Sequence, residues 1–426
     1  MITKLKPKSE FSKNVLTLMT GTTIAQAIPI AISPILTRIY TPEDFGVLAL
    51  FVAITAIFGS IANGRYELAI MLPKKDEDAI NIFALGFIIV SCLSLFLLVL
   101  VIFFNDYFTN LLGNDEIGFW LYFIPLTVFF TGLWNILNYF NNRRKNYKDL
   151  RNATILKSIV SAVVQLSIGF VKQGPTGLIT ATIVPQFLAN TRLLKNIFKD
   201  KILISKISKV KVIALAKRYR DFPKFSSWAA LANSSSQNLT NILISAFFGI
   251  TTLGFYSLVY RVLGIPTTLI GSSIGQVFFQ QASHVKHSNK NVMNIFVSTL
   301  KKLIILSMLL YIPLFFVVSD VFTLVFGEKW SIAGEYAQLL LPFLMIKFIV
   351  SPLTAINQIY LKNKNVMIWQ FGLIGIYMSI LFFGNMLQLE FITVLILFST
   401  VISSYYIFHL FLLHSYIKKE QNVKYT

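Results

Sequence analysis

The chain has 426 residues, 55% of them hydrophobic and 13% charged, with a formal net charge of +20 at pH 7. Soluble domains carry about 25% charged residues, so this composition excludes a soluble globular protein and defines a polytopic membrane protein. The single cysteine, Cys92, excludes a disulfide framework and a thiolate metal site.

In chain order, apolar runs long enough to cross a bilayer fall at 14–37, 45–72, 79–104, 117–141, 152–171, 175–194, 225–249, 252–281, 296–319, 336–361, 365–386 and 390–416. They predict an all-α fold of about twelve transmembrane helices. Lysines precede the first run, and Ala25-Gln-Ala27 mimics a signal cleavage site. The run continues through two prolines to Leu36, so it reads as a first transmembrane helix.

Loop charges set the orientation. One set of loops gathers Lys4, Lys6 and Lys8, then Lys74 and Lys75, then Arg143, Arg144, Lys145, Lys148, Arg151 and Lys157, then the basic run from Arg192 to Lys224. The other set holds only Arg38, Lys172 and Lys329 as bases, beside acids such as Glu43, Asp44, Asp106 and Glu116. Basic loops stay cytoplasmic, so both termini are expected on the cytoplasmic side of the membrane.

The two halves echo each other. Asp106-Tyr-Phe-Thr-Asn-Leu-Leu-Gly113 follows the third run, and Asp320-Val-Phe-Thr-Leu-Val-Phe-Gly327 follows the ninth. Phe45-Gly46 opens the second run as Leu253-Gly254 opens the eighth, and Pro125 pairs with Pro342. Such an ordered repeat predicts two six-helix lobes, 1–194 and 225–426, related by a pseudo-two-fold axis along the membrane normal. Between them lies a basic linker, 195–224. There Leu203, Ile207, Val210 and Ala214 share one helical face, which suits an amphipathic helix on anionic lipids of the cytoplasmic leaflet. A solvated basic loop that only fixes topology is the alternative.

After the loops are assigned, Arg65, Glu67, Arg261 and Lys347 remain inside spans. Charges there are costly unless paired or hydrated, and they mark functional sites. On a continuous helix Arg65 and Glu67 point to nearly opposite sides and cannot pair, while Glu67 continues the row Thr55, Gly59, Asn63. In the eighth run Ser257, Arg261, Gly264, Thr268, Ser272, Gly275 and Gln276 form one polar stripe. Lys347, Ser351, Thr354 and Gln358 make a row in the tenth, as Thr127, Thr131, Asn135, Asn138 and Asn142 do in the fourth. The seventh run gathers Asn233, Ser234, Gln237, Asn238 and Asn241, and the first gathers Thr20, Thr22, Thr23 and Gln26. Any single stripe serves helix–helix hydrogen bonding, and Arg65 or Arg261 alone reads equally as a snorkelling anchor. So many polar faces together predict a water-filled cleft with a cationic balance. That favours an anionic cargo, since Arg binds phosphate and carboxylate in a bidentate way. His284, His287, His409 and His414 lack carboxylate partners in the sequence, and no nucleotide-binding loop is present. No metal, nucleotide cofactor, nucleic acid or enzymatic role is expected.

Gly64-Arg-Tyr-Glu-Leu-Ala-Ile-Met-Leu-Pro73, followed by Lys-Lys-Asp-Glu-Asp-Ala79, resembles the end of the second helix in Wzx-type polysaccharide-unit flippases. Leu36-Thr-Arg-Ile-Tyr-Thr-Pro-Glu-Asp-Phe-Gly46 is similar to that family's first outer loop, and Tyr256-Ser-Leu-Val-Tyr-Arg-Val-Leu263 with Pro266 to its eighth helix. The family belongs to the multidrug/oligosaccharidyl-lipid/polysaccharide exporter superfamily. The resemblance implies two bundles in a V shape with a central cleft. It also implies transport of undecaprenyl-diphosphate-linked glycans to the periplasmic leaflet, for O-antigen of lipopolysaccharide or another surface polysaccharide. Alternating access coupled to a proton or sodium gradient is the implied cycle. In that reading Arg261 and Lys347 hold the diphosphate or acidic sugars, and Arg65 and Glu67 act near the cytoplasmic entrance. The polar rows of the first and seventh runs, with Gln26, Asn233, Gln237, Asn238 and Asn241, contact glycan hydroxyls, and Asn63, Thr268 and Ser272 belong to the same substrate-binding set. A monomer is expected, working beside polysaccharide polymerase and chain-length proteins. A cation-coupled multidrug exporter is the runner-up, opposed by the cationic balance. A membrane glycan polymerase comes third, opposed by the short outer loops.

Overall fold

The computed structural model describes residues 10–288, 291–360 and 362–425. Lys4, Lys6, Lys8 and the side chain of His287 lie outside that description. The chain divides into two compact units, one through Ile242 and one from Leu243.

The first unit runs α1 (Glu10–Ile39), α2 (Pro42–Gly59), α3 (Tyr66–Ala69), α4 (Asp76–Leu112), α5 (Glu116–Leu121), α6 (Ile124–Arg143), α7 (Tyr147–Val171), α8 (Thr176–Phe198), α9 (Lys201–Ile204) and α10 (Lys209–Arg218). Then comes α11 (Ser227–Phe248), which crosses the division. The second unit continues with α12 (Ile250–Leu263), α13 (Ser272–His287), α14 (Val292–Phe326), α15 (Ser331–Val350), α16 (Ala355–Ile359), α17 (Asn363–Met386) and α18 (Phe391–Tyr425). Every predicted span falls on helix. Among the described residues, eight helical stretches are long and apolar enough to cross a membrane, and α12 is a shorter apolar one. α6, α8 and α11 fall below that standard because polar side chains interrupt their apolar faces.

The start of α2 shows how the sequence fixes a helix end. Thr41 accepts from the Asp44 amide at 3.2 Å while the Asp44 carboxylate accepts from the Thr41 amide at 2.8 Å. Two orphan donors are satisfied reciprocally, and Pro42 loses nothing at a position whose N–H has no partner.

The repeat is visible in two helix ends. α4 and α14, of 37 and 35 residues, both stop at a glycine with positive φ, Gly113 at 70° and Gly327 at 99°. A Cβ on Gly327 would meet no atom within 4 Å, so backbone conformation and not space requires glycine there.

Four spans are broken where the sequence predicts continuous helix; the fourth span turns at Tyr122 and Phe123, between α5 and α6. α2 stops at Gly59, the chain turns through 60–65 with Gly64 and Arg65 both left-handed, and α3 comes next. The row Thr55, Gly59, Asn63, Glu67 is therefore not one helical face. In the eighth span a π-helical stretch, Thr267–Gly271, separates α12 from α13. One extra residue per turn rotates the next helix by about 100°, so Thr268 and Ser272 do not extend the stripe of Ser257 and Arg261. In the tenth, a 3-10 stretch, Ser351–Thr354, separates α15 from α16 and breaks the row below Lys347.

The linker face is also corrected. Leu203 joins the buried core of the first unit, but its companions there are Val212 and Leu215, packed with Ile80, Ile136 and Leu193. Val210 and Ile207 are exposed. A bend at 205–208 makes α9 and α10 separate helices, so one continuous helical wheel does not apply. Each buried Leu or Val contributes about 1.5–3 kcal/mol, and α10 is further held by Lys211 on Glu77 at 3.0 Å.

Candidate functional site

The break after Gly59 brings Arg65 and Glu67 together. With Arg65 at φ 62° and ψ 10°, its side chain turns back toward Glu67, and Nη1 lies 3.2 Å from Oε1. The predicted opposition of the two groups is thus overturned, because it assumed helical spacing. Glu67 is the buried partner, its side chain only 4% exposed, while Arg65 is 31% exposed. The neighbourhood is incompletely satisfied: Glu67 Oε2, Arg65 Nε and Asn63 Oδ1 are buried without a hydrogen-bond partner. Buried polar atoms are usually paired. Asn63 itself donates from Nδ2 to the Gly86 carbonyl at 3.1 Å, fixing the turn against α4.

Arg65 opens onto a cavity of about 520 Å³ lined with Ser60, Ser226, Asn233, Ser234 and Gln237. α11 supplies most of this wall. Ser234 donates to the Ala56 carbonyl at 3.0 Å, which docks α11 on α2, and Asn233 and Gln237 remain exposed. Residues predicted from two different spans, Arg65 from the second and Asn233 and Gln237 from the seventh, therefore share one wall. An arginine among hydroxyls and amides can hold an anion and the hydroxyls beside it.

Other predicted residues lie elsewhere. Asn238 donates to the Ser234 carbonyl at 2.8 Å, Asn241 is half-buried, and Gln26 is exposed on α1. In the second unit Arg261 is half-buried on α12 and forms no ion pair among the described residues. Lys347 on α15 is half-buried too, with Nζ 5.6 Å from the ring centroids of both Tyr260 and Phe343. Cation–π attraction of this kind is worth about 0.5–2 kcal/mol. Thr268 and Ser272 are exposed, their hydroxyls turned to carbonyls within the helix at Ile265 and Thr268.

The sequence reading missed Lys157. Counted among loop bases, it lies inside α7 with Nζ 5.3 Å from the Trp134 ring centroid, and no carboxylate pairs with it among the described residues. Its signal was the distance from Asn146, where α7 begins: about three turns at 3.6 residues per turn. His409 is buried within α18, 3.3 Å from the Asn357 amide and edge-on to Trp369.

Long apolar helices, broken spans and basic groups held inside them define a polytopic membrane protein of transporter-like architecture. The chain belongs to the polysaccharide biosynthesis protein family, whose model matches residues 35–334. It is 27% identical over 161 residues to the teichuronic acid biosynthesis protein TuaB of Bacillus subtilis (strain 168), covering 38% of this chain and 33% of that one. It is 21% identical over 313 residues to the succinoglycan biosynthesis transport protein ExoT of Rhizobium meliloti (strain 1021), covering 72% and 60%. The chain thus spans less than two thirds of the length of either curated relative. Its fold is similar to that of a solved MATE family transporter of the MOP superfamily in the inward-facing conformation, with TM-score 0.71 at 14% identity, covering 94% of this chain and 99% of that one. The lipid II flippase MurJ superposes with TM-score 0.69 at 15% identity, covering 96% and 91%.

Proposed function

We propose that the protein is a flippase that moves undecaprenyl-diphosphate-linked oligosaccharide units from the cytoplasmic to the outer leaflet of a bacterial cytoplasmic membrane. The observation that carries this reading is the set Arg261, Lys347 and Lys157, basic groups inside helices with no carboxylate partner among the described residues. Cations left uncompensated inside a membrane span are retained for an anion that arrives and leaves. A diphosphate on a lipid carrier is such an anion, and family membership makes the attached group a polysaccharide unit.

In this reading lobes 1–194 and 225–426 alternate access around the cargo, joined by 195–224, and a proton or sodium gradient drives the cycle. Arg65, Asn233 and Gln237 receive the diphosphate and first sugars, and Arg261 and Lys347 hold the diphosphate or acidic sugars during transfer. Both termini face the cytoplasm. Arg261→Ala is the test. Expressed in a strain deleted for this gene, it should abolish surface polysaccharide and accumulate lipid-linked units inside, while membrane levels match wild type. Normal surface polysaccharide in that strain rejects the assignment.

A further inference from the structure

The first unit carries a second cavity, of about 620 Å³, where α6 and α8 end and α9 begins. Its wall includes Arg144, Asn146, Asn196, Lys199, Asp200 and Lys201. Four of these are already engaged, Asn146 by donating to the Asn141 side-chain oxygen at 3.1 Å. Arg144 donates to Asp76 at 2.6 Å and to Asp200 at 2.7 Å, which neutralises Asp200. Asn196 donates to Asn141 at 2.8 Å and to Asp149 at 3.1 Å. Lys199 and Lys201 differ, since neither forms an ion pair among the described residues. The cavity therefore presents two ammonium groups without counter-charge.

The surface around these lysines is apolar. Phe198 is 63% exposed and Ile202 77%, and they bracket Lys199 and Lys201 in the chain. Val210 on α10 is a further exposed apolar side chain, 77% accessible. Free inorganic phosphate would match the lysines but leave the apolar rim unexplained. A phospholipid matches both, with its phosphate in the pocket and its chains along the rim at the end of a membrane-length helix.

We infer that this cavity binds the headgroup phosphate of an anionic phospholipid, held by Lys199 and Lys201 and seated by Phe198 and Ile202. The site is independent of the cargo reading, because it shares no residue with the wall at Arg65. Bound lipid would pin the junction of α8 and the linker to one leaflet.

Native mass spectrometry of the full chain, taken from nanodiscs of phosphatidylglycerol or of phosphatidylcholine, tests it. Wild type should retain phosphatidylglycerol in preference to phosphatidylcholine. Lys199→Gln with Lys201→Gln should lower that retention roughly thirtyfold, since each basic residue near an anionic surface is worth about 1 kcal/mol and every 1.4 kcal/mol is tenfold. Ile202→Asp should lower it too. Both variants should melt like wild type in phosphatidylcholine, which separates lost binding from misfolding. Equal retention of the two lipids by wild type, or undiminished phosphatidylglycerol in the double lysine variant, overturns the inference. So does displacement by millimolar inorganic phosphate, which would mark a site for soluble anions.

Discussion

Arg65 and Glu67, two positions apart, form an ion pair at 3.2 Å because Arg65 adopts a left-handed backbone conformation between two helices. A non-glycine residue there costs about 1–2 kcal/mol, and the pair offsets part of it. The two partners are not equivalent, since the Glu67 side chain is 4% exposed and Arg65 31%.

That asymmetry orders two substitutions. Arg65→Ala strands a buried carboxylate, whereas Glu67→Gln leaves a cation that the open cavity can hydrate. Stranding a buried charged group costs about 3–5 kcal/mol, and the partly exposed arginine considerably less. Arg65→Ala should therefore melt at a clearly lower temperature than Glu67→Gln, as read by thermal denaturation with size-exclusion detection. The reverse order would mean that Arg65, and not Glu67, is the group needing a partner.

Hydropathy made the spans legible, because it acts over many residues. The breaks at 60–65, 267–271 and 351–354 were not legible. Each lies inside an unbroken apolar run, and a helical wheel assumes the regularity that these segments lack. The local signals were present at Gly64, Pro266 and Pro352, but a proline or glycine in a membrane helix is often accommodated without a break. The polar rows therefore survived as sets of residues and failed as faces. Arg65, Asn233 and Gln237 converge through a turn that periodicity does not describe. Lys157 falls inside the predicted run 152–171 yet counts with the loop bases that precede it, and the start of α7 at Tyr147 places it about three turns into the helix.

Lys157 should behave as a functional cation and not as a structural one. It contacts the Trp134 ring at 5.3 Å and no acid, so its removal leaves no stranded charge. Lys157→Met keeps the side-chain length and should leave the melting temperature equal to wild type or above it. Surface polysaccharide in the same strain should fall sharply, and Lys157→Arg should restore part of it. A stable variant with normal polysaccharide would assign Lys157 to packing alone.

Asp76 is the hub of a separate network. It accepts from Arg143 Nε at 2.9 Å and from Arg144 Nη1 at 2.6 Å, and Arg144 reaches on to Asp200 at 2.7 Å. Asp200 in turn caps α9, accepting from the Leu203 amide at 3.0 Å. One carboxylate thus ties α4 to the end of α6 and, through Arg144, to the start of the linker. The Asp76 side chain is 38% exposed, so each pair is worth at most about 1 kcal/mol. Arg143 also donates to the Ile70 carbonyl at 3.1 Å, a contact that survives loss of the acid. Asp76→Asn should therefore lower the melting temperature by only a few degrees at low salt. Screening lengths shrink from about 10 Å at 0.1 M to about 3 Å at 1 M, so the gap between variant and wild type should narrow as salt rises. A difference unchanged at 1 M sodium chloride would show that hydrogen-bond geometry, and not charge, is what Asp76 supplies.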